Sequence, residues 1–183
     1  MPPSVLLTAL VSLKANHEYQ ESRVQNYLDD MLERYPKMKK SGYAFPGIDK
    51  DCLYCTDCGS QRKRSCQMCD EGKIRRDARG GTSPEIHYGI IASGNRVIKS
   101  AAERDRLGRE LQALCIEMEA AGLMNDFPCL VIRGICDYAD SHKNDKWHKY
   151  AAATAAAYAK ELLLNISPKQ ASHEKPIQEV VGE

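Results

Sequence analysis

The stretch PCLVIRGICDYAD, residues 128–140, is almost unbroken in its apolar character from Cys129 to Cys136, with Arg133 as the one charged residue inside it. A strand with one wet face alternates polar and apolar residues. An unbroken run of this length needs cover on both faces, which is the situation of a parallel-sheet strand between helices. The neighbouring stretches fit that demand. IHYGIIASGNRVI (86–98) predicts a core strand running into a Gly-rich turn, and SAAERDRLGRELQALC (100–115) a helix whose Ser100 and Glu103 have capping-box spacing. CIEME (115–119) predicts a second strand ending in Glu119, AAGLMNDF (120–127) a short helix, and CLVIRGICD (129–137) a third strand ending in Asp137. NDKWHKYAAATAAAYAKELLLNI (144–166) predicts an Ala-rich helix with Trp147, Ala151, Ala155, Tyr158 and Leu162 along one side. Strand, helix, strand, helix, strand, helix specifies an α/β fold.

Upstream, VLLTALVSL (5–13) is far too short to span a membrane. No Lys or Arg precedes it and KANHEYQ after it lacks a small-residue cleavage pattern, so it reads as a buried helix or strand of a cytoplasmic protein. EYQESRVQNYLDDMLERYP (18–36) carries Val24, Tyr27, Leu28, Met31 and Leu32 on one helical stripe, closed by Pro36. From Lys37 to Pro84 the apolar rhythm is lost, and so long an irregular stretch in a compact domain marks an insertion or disorder. The expected organisation is one domain over 1–165 with a Cys-rich insertion at 40–83, then a disordered tail over 166–183. With 26 basic and 25 acidic residues the net charge is +1, which gives no electrostatic basis for binding nucleic acid or an anionic membrane.

The insertion contains CLYCTDCGSQRKRSCQMC, with Cys52, Cys55, Cys58, Cys66 and Cys69. Close C-x-x-C pairs suit a reducing compartment and a metal better than disulfides. Two interpretations stay open: a structural four-thiolate zinc knuckle, most symmetrically Cys52, Cys55, Cys66 and Cys69, or a loop that is merely rich in cysteine. Cys115, Cys129 and Cys136 sit in apolar runs and read as small core residues. His87, before a core strand, reads as structural, and His142 and His148, flanking a helix start, as solvated or capping.

The stretch ALCIEMEAAG (113–122) sets Glu117 and Glu119 among apolar residues, and a buried carboxylate costs several kcal/mol, on the order of its desolvation penalty, unless something binds it. Ligands of open α/β sheets lie beyond the carboxyl ends of the strands, where Glu119 and Asp137 would meet. The competing partner for either glutamate is Arg133.

Three motifs in this order, HYGIIASGNRVIK, CIEMEAAG and VIRGICDYAD, resemble the C-terminal half of the purine and uridine phosphorylase superfamily, which includes methylthioadenosine/S-adenosylhomocysteine nucleosidases. The likeness is nearest to the phosphorylase-like domains of large multidomain signalling proteins and covers roughly residues 84–165. It implies a three-layer fold with a central mixed sheet flanked by helices, incomplete at the N-terminus, because the Gly-rich phosphate loop and the nucleophile site have no counterpart in residues 1–83. The implied reaction is cleavage of the N-glycosidic bond of a purine nucleoside through an oxocarbenium-like transition state. Glu119 would hold the ribose hydroxyls with Met118 packed on the sugar and Glu117 behind it. Asp137 would protonate or hydrogen-bond the base at N7, with its pKa raised by burial. Ser93 and Gly94 would shape the turn, and Val97 and Ile98 would touch the base. Phosphate is a candidate co-substrate, no cofactor is needed for catalysis, and the partners are a small nucleoside and a homo-oligomer or a missing N-terminal half. The rival functions are a non-catalytic nucleoside-sensing or oligomerisation module and a zinc-stabilised interaction domain.

Overall fold

Helices α1 (Ser4–His17), α2 (Val24–Arg34) and α6 (His148–Leu164) pack together around Ala9, Leu13, Val24, Tyr27, Leu28, Tyr150, Ala153, Ala157, Tyr158 and Leu162. The computed structural model describes residues 2–54, 73–74, 76–77 and 80–172. The stripe expected on α2 is the buried one, with Val24 and Leu28 each 1% exposed. On α6 the alanines let the neighbouring helices approach, and Ala151, Tyr158 and Leu162 of the expected stripe are buried. The run VLLTALVSL resolves to helix, but only Ala9 and Leu13 are buried and Val11 is 69% exposed, so α1 covers the core with one face instead of being enclosed by it. Pro36 opens a single turn, α3 (Pro36–Met38), because α2 has already ended at Arg34.

One buried acid ties this bundle together. Glu161 of α6 accepts from the Ser22 hydroxyl and the Arg23 N–H, each at 2.8 Å, and lies 3.3 Å from the His17 ring. These contacts serve the start of α2, which has no side-chain cap of its own.

The second part is a βαβ unit: β1 (Ile90–Ser93), α4 (Ala101–Leu111) and β2 (Ala113–Glu117), with α5 (Ala120–Asp126) after it. β1 and β2 pair in parallel, Ile91 with Cys115 and Ser93 with Glu117, so both strands end level. The Ser100 hydroxyl accepts from the Glu103 N–H as expected, while the Glu103 carboxylate turns to Arg96 and Arg106. α4 stops at Leu111, four residues short of the sequence expectation. Gln112 takes a left-handed conformation (φ 51°), which reverses the chain directly into β2.

Two further expectations change. β2 ends at Glu117, so Glu119 sits at the N-cap position of α5 and not on a strand. Residues 128–138 are not assigned as a strand: β1 and β2 pair with each other, and 130–138 instead lines a cavity. This segment is fixed from the other side. A Cβ on Gly134 would lie 1.9 Å from the Ala151 carbonyl oxygen, so only glycine allows the segment to press against the α6 backbone. The described sheet is therefore two-stranded and parallel.

Part of the insertion is moored to the same region. Trp147 donates its indole N–H to the Lys50 carbonyl at 3.1 Å, and the Tyr54 ring stacks on His142 with centroids 3.6 Å apart. Ser167 caps a last turn, α7 (Pro168–Ala171), inside the stretch expected to be disordered. No helix among the described residues is long and apolar enough to cross a membrane.

Candidate functional site

The level ends of β1 and β2 place Ser93, Gly94, Glu117, Met118 and Glu119 in one turn. The Gly94 N–H reaches the Glu117 carbonyl at 3.1 Å. The Glu117 side chain is buried, and its Oε2 accepts the N–H groups of Glu119 and Ala120, both at 2.8 Å. These are donors left free where α5 begins, and a short-range carboxylate is the natural acceptor for them. Burial pushes the Glu117 carboxyl up. The Ser93 hydroxyl, the two N–H groups and the nearby Arg133 charge outweigh it and hold it below the usual range. So one of the two apolar-looking glutamates is held by its own chain. Ser93 Oγ also accepts from the Ala121 N–H at 2.9 Å, tying β1 to α5.

Glu119 points outward, 71% exposed, with Arg133 Nη1 at 3.9 Å. Arg133 was the competing partner for either glutamate; the carboxylate in ion-pair range is that of Glu119. Met118 is exposed on the same turn and its N–H donates to Glu119 Oε2 at 3.2 Å. Neither Met118 nor Glu119 belongs to the pleated strand, so strand alternation does not force them to opposite faces.

A cavity of about 610 Å³ opens between β1–β2, α6 and residues 130–138, its apolar wall including Ile91, Leu114, Leu130 and Tyr158. Arg133 and Asp137 both line it. At one end Asp51, Arg76 and Tyr138 form a closed polar cluster: Tyr138 donates to Asp51 at 2.6 Å and Arg76 to Asp51 at 2.8 Å.

Asp137 is nearly covered, at 10% exposure. Its Oδ1 accepts the Ala139 N–H at 2.8 Å, a tight turn in which Ala139 is left-handed (φ 51°). Its Oδ2 accepts from the Lys143 ammonium and from the Cys136 thiol, the latter at 3.3 Å. Burial alone would raise the Asp137 pKa, the condition expected for a general acid. The Lys143 ammonium and the Ala139 N–H overcome burial and leave it below the usual aspartate range. The group is thus an anion paired with a cation at neutral pH. The Cys115 and Cys136 thiols are pushed up by burial, which suits core residues better than nucleophiles.

Of the residues singled out from the sequence, Ser93, Gly94, Glu117, Met118 and Glu119 share one turn, and Asp137 lines the cavity. Arg133 connects them, reaching Glu119 from the cavity wall. Val97 and Ile98 follow β1 and, like Ser93, Gly94, Glu117, Met118 and Glu119, do not line the cavity; Val97 is 47% exposed. Of the proposed thiolates, Cys52 is described, its thiol 3.5 Å from the Asp49 carbonyl, while Cys55, Cys66 and Cys69 lie outside the described residues. Sequence reasoning passed over Lys143 and read His148 as solvated or capping; it opens α6 with 44% of its side chain exposed, and its Nε2 lies 4.0 Å from Asp137 Oδ2. The only hint was spacing, since a lysine six residues beyond an aspartate is ordinary until the loop closes.

The sequence profile of the phosphorylase superfamily matches residues 49–166. A nucleotide-binding leucine-rich repeat (NLR)-like protein of Hyaloscypha variabilis is 45% identical over 168 residues, 92% of this chain and 16% of that protein. The 5'-methylthioadenosine/S-adenosylhomocysteine nucleosidase of Mycobacterium tuberculosis is 33% identical over 89 residues, 46% of this chain and 35% of the enzyme. The ATP nucleosidase Cap17 of Escherichia coli is 35% identical over 84 residues, 43% of this chain and 17% of that protein. The chain thus spans little more than a third of the length of these relatives at most. No solved structure matches it.

Proposed function

The chain belongs to the phosphorylase superfamily, and from that premise we propose that it recognises an adenine or related purine nucleoside and takes part in cleaving its N-glycosidic bond. The observation that carries this is the position of Arg133: it lines the cavity and reaches Glu119, which stands outside the lining, at 3.9 Å, while Asp137 lines the cavity four residues further along the same segment. A nucleoside offers a diol at one end and a base nitrogen at the other, and these two carboxylates suit those two demands.

As the bond breaks, positive charge builds on the ribose and negative charge on the base. Glu119, exposed and free to exchange Arg133 for hydroxyl groups, orients the sugar and favours its charge. Met118 packs beside it. Glu117, whose Oε2 accepts the N–H groups of Glu119 and Ala120, holds that turn in shape. The leaving base needs a proton or a strong hydrogen bond at N7. In the unliganded protein the proton at that point belongs to the Lys143 ammonium, with Asp137 as its anionic partner. We assign the acid function to the Asp137–Lys143 pair: the Lys143 ammonium hands a proton to Asp137, which passes it to N7 of the leaving base, and the neutral lysine amine regains a proton from solvent. Water or phosphate is the acceptor of the sugar.

The relatives named for their substrates act on adenosine derivatives that differ at the 5' position, which supports a base-directed site. A second reading has its own support. The NLR-like relative is similar over 92% of this chain yet extends far beyond it, which favours a sensing module within a larger signalling protein.

The test is to incubate the chain with adenosine, inosine, methylthioadenosine and ATP, with and without phosphate, and to quantify free base and bound ligand. Base release establishes the enzyme, and its phosphate dependence identifies the nucleophile. Saturable binding without release establishes the sensor, and neither outcome removes both.

A further inference from the structure

Cys136, Asp137 and His148 form a cluster of three different donor atoms at the loop end of the cavity. The Cys136 sulfur lies 3.3 Å from Asp137 Oδ2, and His148 Nε2 lies 4.0 Å from the same oxygen. All three donor atoms fall within 4.8 Å of one another. A tetrahedral ion with bonds of about 2.0–2.3 Å holds its ligand atoms about 3.3–3.8 Å apart, so closure requires only small side-chain movements.

Two independent features support the cluster. His148 Nδ1 lies 3.5 Å from Asp145 Oδ1, so a carboxylate stands on the far ring nitrogen. That arrangement fixes the orientation of metal-binding imidazoles and raises their basicity. Asp137 Oδ2 already holds a cation, the Lys143 ammonium, so the position is electrostatically suited to positive charge. Lys143 is partly exposed and has a flexible stem that can leave for solvent.

We propose that Cys136, Asp137 and His148 bind a divalent transition-metal ion of the zinc–cobalt class, displacing Lys143 and leaving one coordination position open toward the cavity. The mixed sulfur, nitrogen and oxygen set selects such ions over magnesium or calcium, which prefer oxygen alone. Binding releases the thiol proton and joins the 136–137 segment to the start of α6. One consequence rests on the function proposed above: metal and purine base then compete for Asp137, and the ion inhibits turnover.

The site is tested without measuring turnover. The metal-free full chain is titrated with Co²⁺, following the thiolate-to-cobalt charge-transfer absorption and the bound equivalents by equilibrium dialysis. Cobalt taken up by the Cys-rich segment is common to all variants, so the difference between variants is read. Cys136→Ser is expected to remove one equivalent and its charge-transfer contribution. His148→Ala, at an exposed helix start where folding is not at risk, is expected to weaken that equivalent at least tenfold. Lys143→Met is expected to tighten it several-fold. Equal stoichiometry and affinity in the wild type, Cys136→Ser and His148→Ala overturns the site, as does a wild type that binds no Co²⁺. Base release by the metal-free protein separately decides the nucleosidase proposal.

Discussion

Lys143 closes a six-residue loop onto Asp137, and its ammonium donates to the carboxylate oxygen that also faces Cys136 and His148. The pair holds Asp137 ionised despite its burial. A carboxyl lowered in the folded state adds stability above its unfolded pKa, and that stability is lost as pH falls through the folded value. Lys143→Met leaves burial without its main opponent. The Asp137 titration followed by carboxyl NMR should move to higher pH in this variant, and the loss of thermal stability on acidification should be smaller than in the wild type. An unmoved midpoint would show that Lys143 does not set this carboxyl.

Glu119→Gln keeps size and hydrogen bonding but removes the charge that favours the sugar cation. If turnover is present, kcat/KM should fall roughly 100-fold, about 3 kcal/mol, in line with losing one preorganised electrostatic contact. Little change in folding is expected, because the side chain is exposed. Unaltered kinetics would remove Glu119 from the site.

Gly134→Ala places a methyl group into the Ala151 carbonyl, and backbone cannot yield as a side-chain tip can. The expected loss is about 3 kcal/mol, at the upper end of overpacking costs, read as a lower denaturant midpoint. A midpoint equal to wild type would mean that segment 130–138 is free to move away from α6.

Glu161→Gln weakens the acceptor that serves Ser22 and Arg23 across the α2–α6 contact. Hydrogen bonds to charged groups are worth about 1.5–3 kcal/mol, so a loss of about 2 kcal/mol in urea unfolding is expected. Base release should be unaffected apart from the lower stability.

For the insertion, the zinc knuckle predicts bound zinc after dialysis that falls by one equivalent in the double variant Cys66→Ser with Cys69→Ser. Substoichiometric zinc in the wild type would reject it.

Much of the architecture was legible because its signals were local. The stripe of Val24, Tyr27 and Leu28, the cap at Ser100 and the small-residue face of α6 each declare themselves within a few turns. Boundaries were less legible. Nothing in QALC distinguishes a helix end from a strand start until Gln112 adopts its left-handed turn, and only that reversal makes Ala113–Glu117 a strand. The run 129–137 was read as a strand covered on both faces; it takes no place in the described sheet and Ile135 is 49% exposed, because hydrophobic pattern cannot say whether a segment finds ladder partners, and here Gly134 on Ala151 supplies part of its cover. At the site, the acids stood out because they interrupt apolar runs. Their cationic partners did not, since which lysine or arginine reaches which acid depends on loop closure. Asp137 illustrates the result: burial was foreseen, and the sign of its pKa shift was reversed by a lysine whose approach no spacing rule contains.

Three unlike contacts, the Trp147 indole on the Lys50 carbonyl, the Tyr54 ring on His142 and the Arg76–Asp51–Tyr138 cluster, fasten an appended stretch of chain to both flanks of the loop that carries Asp137. Variation in that appendage is therefore never silent for the aspartate. A substitution at Asp51, Tyr54 or Arg76 would be felt at the Asp137 loop through these contacts, with neither carboxylate of the candidate site altered.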